Sequence, residues 1–253
     1  KRIEKAIDEF QRAITFDPTF ALGYSGLAEG FAAQGKRLSD EKSKEYYAKA
    51  KIAAQKALSL DENLAEAYSV LGWMKFIGDW DWIGAENDLK RAIQIKPNDP
   101  IFHYRLSQLL SAVGNHQEAL NEIQIASKID PISEVITTGR FIVLEQGGNF
   151  TEAAQFAEKI WLENKENPAV LRAYASSLFY QGEFTKVIEI AENILKLDQK
   201  QIPWLALLAT SYFKTGNIEK SDEMLQTLNS LSQTNSKALH ALAQNFAEIG
   251  RND

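Results

Sequence analysis

The sequence predicts an all-α solenoid built from antiparallel helix pairs, and three observations lead to that prediction. Five of the fourteen glycines stand 34 residues apart, at positions 114, 148, 182, 216 and 250. Apolar residues spaced by three and four surround these glycines, and X-Pro pairs separate one stretch from the next. A fixed period of roughly 20 to 50 residues is the signature of stacked structural repeats.

The residues that follow each glycine predict one helix of a pair. After Gly114, the residues Ala119, Ile123 and Ala126 are separated by four and three positions, which places them on one face of a helix. The same offsets after the next three glycines select Ala153, Ala157 and Ile160, then Val187, Ala191 and Ile194, then Ser221, Leu225 and Leu228.

The residues that precede each glycine predict the other helix. Its apolar face is formed by His103, Leu106, Ser107 and Leu110, by Leu171, Tyr174, Ala175 and Leu178, by Leu205, Leu208, Ala209 and Tyr212, and by Leu239, Leu242, Ala243 and Phe246. The glycine between the two helices is expected in a left-handed conformation, which costs little without a Cβ. Pairs such as Asp17-Pro18 and Asp130-Pro131 end one unit before the next begins.

The period divides the chain into units that together form a single solenoid over residues 1–253. The expected units are a second helix without its partner at 1–17, six full repeats at 21–64, 65–99, 100–133, 134–167, 168–201 and 202–235, and a lone first helix at 236–250.

Two stretches depart from the period. The unit that contains Gly35 is about ten residues too long, because the small residue of its second helix is Ala50. The extra residues either extend that helix through Lys44, Tyr47 and Lys51 or form a charged loop, and Ser39-Asp40-Glu41 is a helix-start signal. The next unit has one extra residue within 78–82, which we assign to Trp80.

A third irregularity concerns the first helix of the repeat at 134–167. Thr137, Arg140 and Phe141 occupy positions that elsewhere hold a large apolar residue, a Leu or Tyr, and a small residue. We therefore expect the helix from Val135 to Gln146 to be rotated or shifted.

Composition excludes several classes of function. A net charge of −6 and an isoelectric point of about 5.3 argue against a nucleic-acid surface, which needs clustered Lys and Arg. The chain has no Cys, so it has no disulfides and no thiolate metal site. No apolar run reaches the length of a membrane span, about 18 residues. The expected compartment is the cytoplasm, with the periplasm as the open alternative.

The sequence contains no catalytic motif that we recognise. It lacks a phosphate-binding glycine loop, a His-Glu-x-x-His zinc motif and a Gly-x-Ser-x-Gly nucleophile motif. Its three histidines fall in different units, His103 in a core position, His116 in a turn and His240 on a helix face. We therefore expect no enzyme activity, no metal and no cofactor.

Two segments identify the family that this pattern resembles. Tyr68-Ser69-Val70-Leu71-Gly72 matches the first half of a tetratricopeptide repeat, and the stretch from Lys5 through Asp17-Pro18 matches the second half. The resemblance implies a right-handed superhelix whose first helices line a concave groove, and it implies a protein or peptide ligand.

The resemblance places aromatic and polar side chains in that groove. Rings supply buried area, and Arg105 and Arg172 could hold a carboxylate of a peptide. The open alternative is that some of these rings pack between neighbouring units. The expected peptide-binding residues are Trp73, Phe76, Tyr104, Arg105, Gln108, Arg172, Ser176, Phe179, Tyr180 and Phe213, with Thr210, His240 and Gln244 at further inward positions.

A narrower resemblance rests on the stretch Asp79-Trp80-Asp81-Trp82 and on Asp130-Pro131-Ile132-Ser133. Both are similar to the repeat region of bacterial multidomain regulators that carry an adenylate-cyclase-like, winged-helix or kinase domain. This resemblance implies an accessory region of a longer protein.

Three hypotheses about function follow from these resemblances. The chain is a protein-interaction scaffold, or it is the regulatory region of a nucleotide cyclase or protein kinase whose catalytic domain lies outside it. The third hypothesis is a homodimer, formed when the helix at 1–17 stacks on a second copy through Ile3, Ala6, Phe10 and Ala13.

Overall fold

The computed structural model describes residues 2–38, 40–163, 168–196, 201–233 and 235–250. The chain divides into two compact units, unit 1 at residues 1–147 and unit 2 at residues 148–253. All regular structure within the described residues is helical. The predicted all-α class is therefore confirmed, while the single solenoid over residues 1–253 and its repeat boundaries remain predictions.

Unit 1 contains eight α-helices among its described residues. They are α1 (Arg2–Phe16), α2 (Ala21–Gly35), α3 (Asp40–Leu60), α4 (Ala65–Met74), α5 (Trp82–Ile95), α6 (Pro100–Ala112), α7 (His116–Ile129) and α8 (Glu134–Gln146). Helix α1 packs on α2, the next six helices pack as consecutive pairs, and α8 packs on both α6 and α7. The first helices α2, α4, α6 and α8 also contact one another in that order.

Unit 2 repeats the same arrangement of consecutive helices. It contains α9 (Phe150–Glu163), α10 (Pro168–Tyr180), α11 (Phe184–Leu195), α12 (Ile202–Lys214), α13 (Ile218–Ser232) and α14 (Ser236–Ile249). Helix α9 packs on α10, α12 packs on α11 and α13, and α14 packs on both α12 and α13.

The periodic glycines take the predicted left-handed conformation after the first helices. Their φ angles lie between +72° and +84°, a left-handed region in which a side chain would be strained. After α6, the amide of Asn115 donates to the carbonyl of Leu110 at 2.8 Å, the long-range bond of a Schellman turn. The φ of Gly35 is not positive. A Cβ on Gly35 would lie 2.5 Å from the ring of Tyr47, so this glycine serves close packing.

The long unit around Gly35 is long because its second helix is extended. Helix α3 has 21 residues and includes Lys44, Tyr47 and Lys51, which decides between the two sequence alternatives in favour of a longer helix. Lys51 donates to both carboxylate oxygens of Asp79 in the following pair, at 2.6 and 2.9 Å. Of the predicted start signal, Ser39 lies outside the described residues.

The extra residue of the next unit is accommodated in a π-turn, and the assignment of the insertion to Trp80 was wrong. Helix α4 continues directly into a π-helical turn at Lys75–Asp79, and such a turn absorbs one additional residue. Trp80 then takes the left-handed turn position with φ of +59°. It stands 34 residues before Gly114, where the period calls for glycine.

The irregular first helix of the fourth repeat is α8. Its fully buried side chains include Ile136 and Phe141, whereas Thr137 and Arg140 are only half-buried. Ile136 is buried like its counterparts one period away, Phe102 and Val170, so the burial pattern gives no sign of the expected rotation. Gly139 is also buried and brings α8 close to α6.

Candidate functional site

The first helices of unit 1 enclose a groove that we call the α2–α4–α6 groove. It has a volume of about 480 Å³ and is lined by residues of these three helices and by residues near the α1–α2 turn. Val70 and Phe102 are buried at its base. Around them, Phe20 is 39% exposed and Leu22 is 52% exposed. The groove therefore presents apolar side chains that the rest of unit 1 does not cover.

An ion pair between Arg105 and Glu29 lies in the groove and joins α6 to α2. Nη2 of Arg105 donates to both carboxylate oxygens of Glu29 at 2.6 and 2.7 Å, and Nη1 donates to the hydroxyl of Ser69 at 2.9 Å. The Arg105 side chain is 7% exposed and the Glu29 side chain is 51% exposed. Arg105 therefore lines a groove and binds a carboxylate, but this carboxylate belongs to Glu29 of the same chain and not to a peptide.

Two further carboxylates line the same groove. Glu66 accepts a hydrogen bond from Lys96 at 3.0 Å, and Asp99 lies 3.4 Å from the same ammonium. Burial raises the pKa of Glu66, but the hydrogen bond and the charge of Lys96 outweigh it, and the net effect lowers that pKa. Asp99 also caps α6 by accepting from the amide of Ile101 at 3.0 Å.

The remaining predicted residues of unit 1 form one row across α4 and α6. The ring of Trp73 lies 5.5 Å from that of Phe76 and 6.3 Å from that of Tyr104. Gln108 donates to the carbonyl of Gly139 at 3.3 Å. All four side chains are half-buried. The rings thus pack between neighbouring first helices, which is the alternative left open by the sequence.

The predicted residues of unit 2 divide into exposed and packed positions. Tyr180 stacks on Phe150 with ring centroids 4.7 Å apart, and Phe179 packs edge-on against Phe184 at 5.4 Å. Both contacts are made with the first residue of a second helix. Arg172 is exposed, while Ser176 and Phe213 are half-buried.

The three further residues expected to face inward, Thr210, His240 and Gln244, differ in burial. Thr210 is buried and donates to Oδ1 of Asn245 at 2.6 Å, so its hydroxyl is used inside unit 2. His240 and Gln244 are exposed. The expectation that Thr210 faces a groove is therefore wrong.

Three groove residues, Glu29, Phe20 and Leu22, were not among those predicted from the sequence. These residues precede or belong to α2, which lies outside the part of the chain with regularly spaced glycines, so no periodic position selects them. A signal was present in the pair Phe20 and Leu22, two large apolar residues beside a helix start.

Unit 2 holds a second cavity, of about 530 Å³, between α11, α12 and α13. The hydroxyl of Tyr212 donates to Glu192, and Nζ of Lys220 lies 3.3 Å from that hydroxyl oxygen. The hydrogen bond with Tyr212 and the nearby negative charge raise the pKa of Lys220. A lysine that stays protonated is not a nucleophile, so this cluster does not indicate catalysis.

Neither metal binding nor a membrane span has support in the described residues. Within the ranges given above, no group of three His, Asp or Glu side chains could hold a metal ion. None of the helices in those ranges is both long and apolar enough to cross a lipid bilayer.

Comparison with known proteins agrees with the repeat pattern. Residues 144–209 match the tetratricopeptide repeat family. No curated protein matches the sequence.

Solved structures share the fold at low sequence identity. A tetratricopeptide repeat protein from Parabacteroides merdae is 14% identical with a TM-score of 0.66, and the alignment covers 96% of this chain and 92% of that one. The Pseudomonas aeruginosa pilF structure is 16% identical with a TM-score of 0.64, covering 96% and 100%. The Cut9-Hcn1 structure of the APC/C is 12% identical with a TM-score of 0.72, covering 96% and 46%.

Proposed function

We propose that this chain, whose residues 144–209 match the tetratricopeptide repeat family, is a non-catalytic scaffold that binds a peptide segment of a partner protein in the α2–α4–α6 groove. Stacked helix pairs commonly present an extended surface of this kind to a protein ligand. The partner is a protein or peptide, and no nucleic acid, membrane insertion or cofactor is part of the proposal.

The exposed apolar lining of the groove carries this proposal. Phe20 and Leu22 are exposed beside the buried base formed by Val70 and Phe102. Binding sites combine such an apolar cavity with a few polar groups that fix orientation. A peptide side chain inserted here would remove the exposed rings and methyl groups from water, and buried anchors of that type dominate binding energy.

The test compares two exposed leucines. Peptides are selected from a random phage-displayed dodecapeptide library on the wild-type chain, and their affinity is then measured by fluorescence anisotropy. We expect Leu22→Gln to weaken binding about tenfold or more, because it places a polar amide on the apolar lining. Leu162→Gln is the matched control, since Leu162 in unit 2 is 66% exposed and lies outside the groove. Unchanged binding to the Leu22→Gln chain would contradict the proposal.

The wider setting that we propose is the regulatory or sensory segment of a larger bacterial protein, in the cytoplasm. The Asp79-Trp80-Asp81-Trp82 turn supports it through its similarity to accessory repeat regions. In the alternative setting the attached domain is a nucleotide cyclase or a protein kinase. The domain order of the parent gene distinguishes these settings, because an adjoining catalytic domain favours the alternative and a secretory signal argues against the cytoplasm.

A homodimer formed through α1 is the second candidate, but two of the side chains expected at its interface are partly covered within unit 1. Phe10 packs against α2, where a Cβ on Gly26 would lie 2.3 Å from its ring, and Ile3 is half-buried. Ala6 is exposed, and Phe16 at the end of α1 is 93% exposed. Light scattering at high protein concentration tests this candidate, and a monomeric mass would remove it.

A further inference from the structure

We propose that the α2–α4–α6 groove recognises a basic side chain, arginine or lysine, flanked by apolar residues in the bound peptide. This inference rests on the proposed function and names the chemistry of its ligand. It reverses the polarity that Arg105 suggested from the sequence alone, where the expected ligand group was a carboxylate.

The reversal follows from which half of the Arg105–Glu29 pair faces solvent. The guanidinium is 7% exposed and is directed at Ser69 and Glu29, whereas half of the Glu29 side chain is exposed. A ligand that enters the groove therefore meets a carboxylate. The positive charge of Arg105 is already paired with this carboxylate, since its Nη2 lies 2.6 and 2.7 Å from the two oxygens of Glu29.

Glu29 retains acceptor capacity for such a ligand. An ionised carboxylate offers about four lone-pair positions on its two oxygens. Nη2 of Arg105 occupies one position on each oxygen. The exposed side of the carboxylate is left to accept from a guanidinium or an ammonium, and hydrogen bonds between ionised groups are about twice as strong as neutral ones.

The other charges at the groove have the same sign as Glu29. Its lining residues include three carboxylates, those of Glu29, Glu66 and Asp99, and one guanidinium, that of Arg105. Lys96 pairs with Glu66 and Asp99 at the edge, and one negative charge remains when Lys96 is counted. An acidic peptide is repelled by this arrangement and a basic one is attracted.

The apolar lining suits the rest of a basic side chain and its neighbours. Arginine and lysine carry three or four methylene groups that pack on apolar surface while the charged end reaches a polar partner. Phe20 and Leu22 are exposed within the same groove as Glu29. One ligand side chain can therefore contact both the apolar lining and the carboxylate.

The experiment uses the dodecapeptides selected on the wild-type chain and a variant that removes the charge of Glu29. We expect peptides that lose binding to Leu22→Gln to be enriched in Arg and Lys, and to bind Glu29→Gln about tenfold more weakly or worse. Glu45→Gln is the control, because Glu45 lies on the outer helix α3 with a side chain that is 60% exposed. It should leave the affinity unchanged.

A second pair of measurements separates recognition of charge from loss of structure. Glu29→Gln leaves Arg105 without an anionic partner, so an acidic version of the selected peptide should bind that variant more tightly than it binds the wild type. On the wild type alone, replacing the basic residue of the peptide by Glu should abolish binding, and added salt should weaken the basic peptide. Circular dichroism verifies that each variant is folded.

The failures of the two proposals are distinguishable. Selected peptides that bind through Leu22 but are neutral or acidic, or a basic peptide that binds Glu29→Gln as tightly as wild type, would overturn the basic ligand and leave the groove in place. Selected peptides that bind the Leu22 variant as tightly as the wild type would instead contradict the proposal that the groove is the binding site.

Discussion

The ring of Tyr104 in α6 lies against the backbone of Gly139 in α8, so closely that a Cβ on this glycine would come within 2.4 Å of the ring. The φ of Gly139 is not positive, so space and not backbone conformation requires a glycine. The ring of Trp73 in α4 lies 6.3 Å from that of Tyr104 and limits how far Tyr104 can move away.

We expect Gly139→Ala to destabilise unit 1 by about 1–3 kcal/mol, the usual cost of overpacking. Urea denaturation followed by circular dichroism measures it. Gly78→Ala is the control, because a Cβ there would meet Tyr47 at an ordinary 3.7 Å. Equal stability of the two variants would show that α6 and α8 can separate without cost.

The turn positions make a second prediction possible. Gly114→Ala should lower the free energy of unfolding by about 1 kcal/mol, since a left-handed conformation disfavours a Cβ. Nothing lies within 4 Å of the added carbon, so the backbone is the cause. Trp80 has the same conformation and a side chain that is 75% exposed. Trp80→Asn should cost less than about 0.5 kcal/mol, because Asn tolerates this conformation. A larger loss in thermal denaturation would mean that the indole stabilises the turn.

His103 predicts a pH dependence of stability. Its Nδ1 lies 2.6 Å from Glu122 and its Nε2 lies 2.8 Å from the carbonyl oxygen of Pro97. Both partners are acceptors, so both contacts are hydrogen bonds only when the ring carries two protons and a positive charge. Burial lowers the pKa of His103, but Glu122, the Pro97 carbonyl and Asp99 together raise it, and the net pKa lies above the ordinary value of 6.5.

The sign follows from linkage. The folded state holds this proton more tightly than the unfolded state, so the stabilisation is complete below about pH 6.5 and is lost as the pH rises through the folded pKa. We expect His103→Gln to remove this decline from urea denaturation series between about pH 6 and about pH 8. His240→Gln, at an exposed position, should retain it. Parallel curves for wild type and His103→Gln would contradict the charged ring.

The buried pair Thr210 and Asn245 gives a fourth prediction. Asn245 accepts from Thr210 at 2.6 Å and donates to the carbonyl of Ala241 at 2.9 Å. Thr210→Val removes the donor and leaves a buried amide oxygen without it, which costs about 1–3 kcal/mol. Thr15→Val is the control, because its hydroxyl bonds Gln11 at an exposed site. Differential scanning calorimetry compares them, and equal midpoints would contradict the prediction.

Local pattern predicted the helices and turns because both depend on neighbours in the sequence. Gly114 and its periodic counterparts have the left-handed φ that the spacing implied, and the stripe Ala119, Ile123, Ala126 is fully buried. The polarity of the groove could not be predicted in this way. Glu29 and Arg105 are 76 residues apart, and their pairing depends on how α2 and α6 approach each other across α4.

The same limit explains the residues that sequence reasoning misplaced. A periodic position states that Thr210 or Trp73 lies near the inner side of a first helix, but not what the next helix places against it. The hydroxyl of Thr210 donates its hydrogen bond to Asn245, and Tyr104 packs on Trp73. The extra residue near Trp80 was misassigned because a π-turn and a loop insertion lengthen the sequence equally.

The extended helix α3 has a consequence for the order in which unit 1 folds. The ring of Tyr47 in α3 lies beside both Gly35 and Gly78, and Lys51 in α3 donates to Asp79. Helix α3, which is longer than the other second helices of unit 1, therefore contacts two consecutive helix pairs. In an array whose repeats interact only with their neighbours, folding starts at the most stable local interface and spreads outward. We expect the α2–α3 pair to be that starting point. Under native conditions, the amide hydrogens of this pair should then exchange more slowly than those of the later helices of unit 1, up to α8.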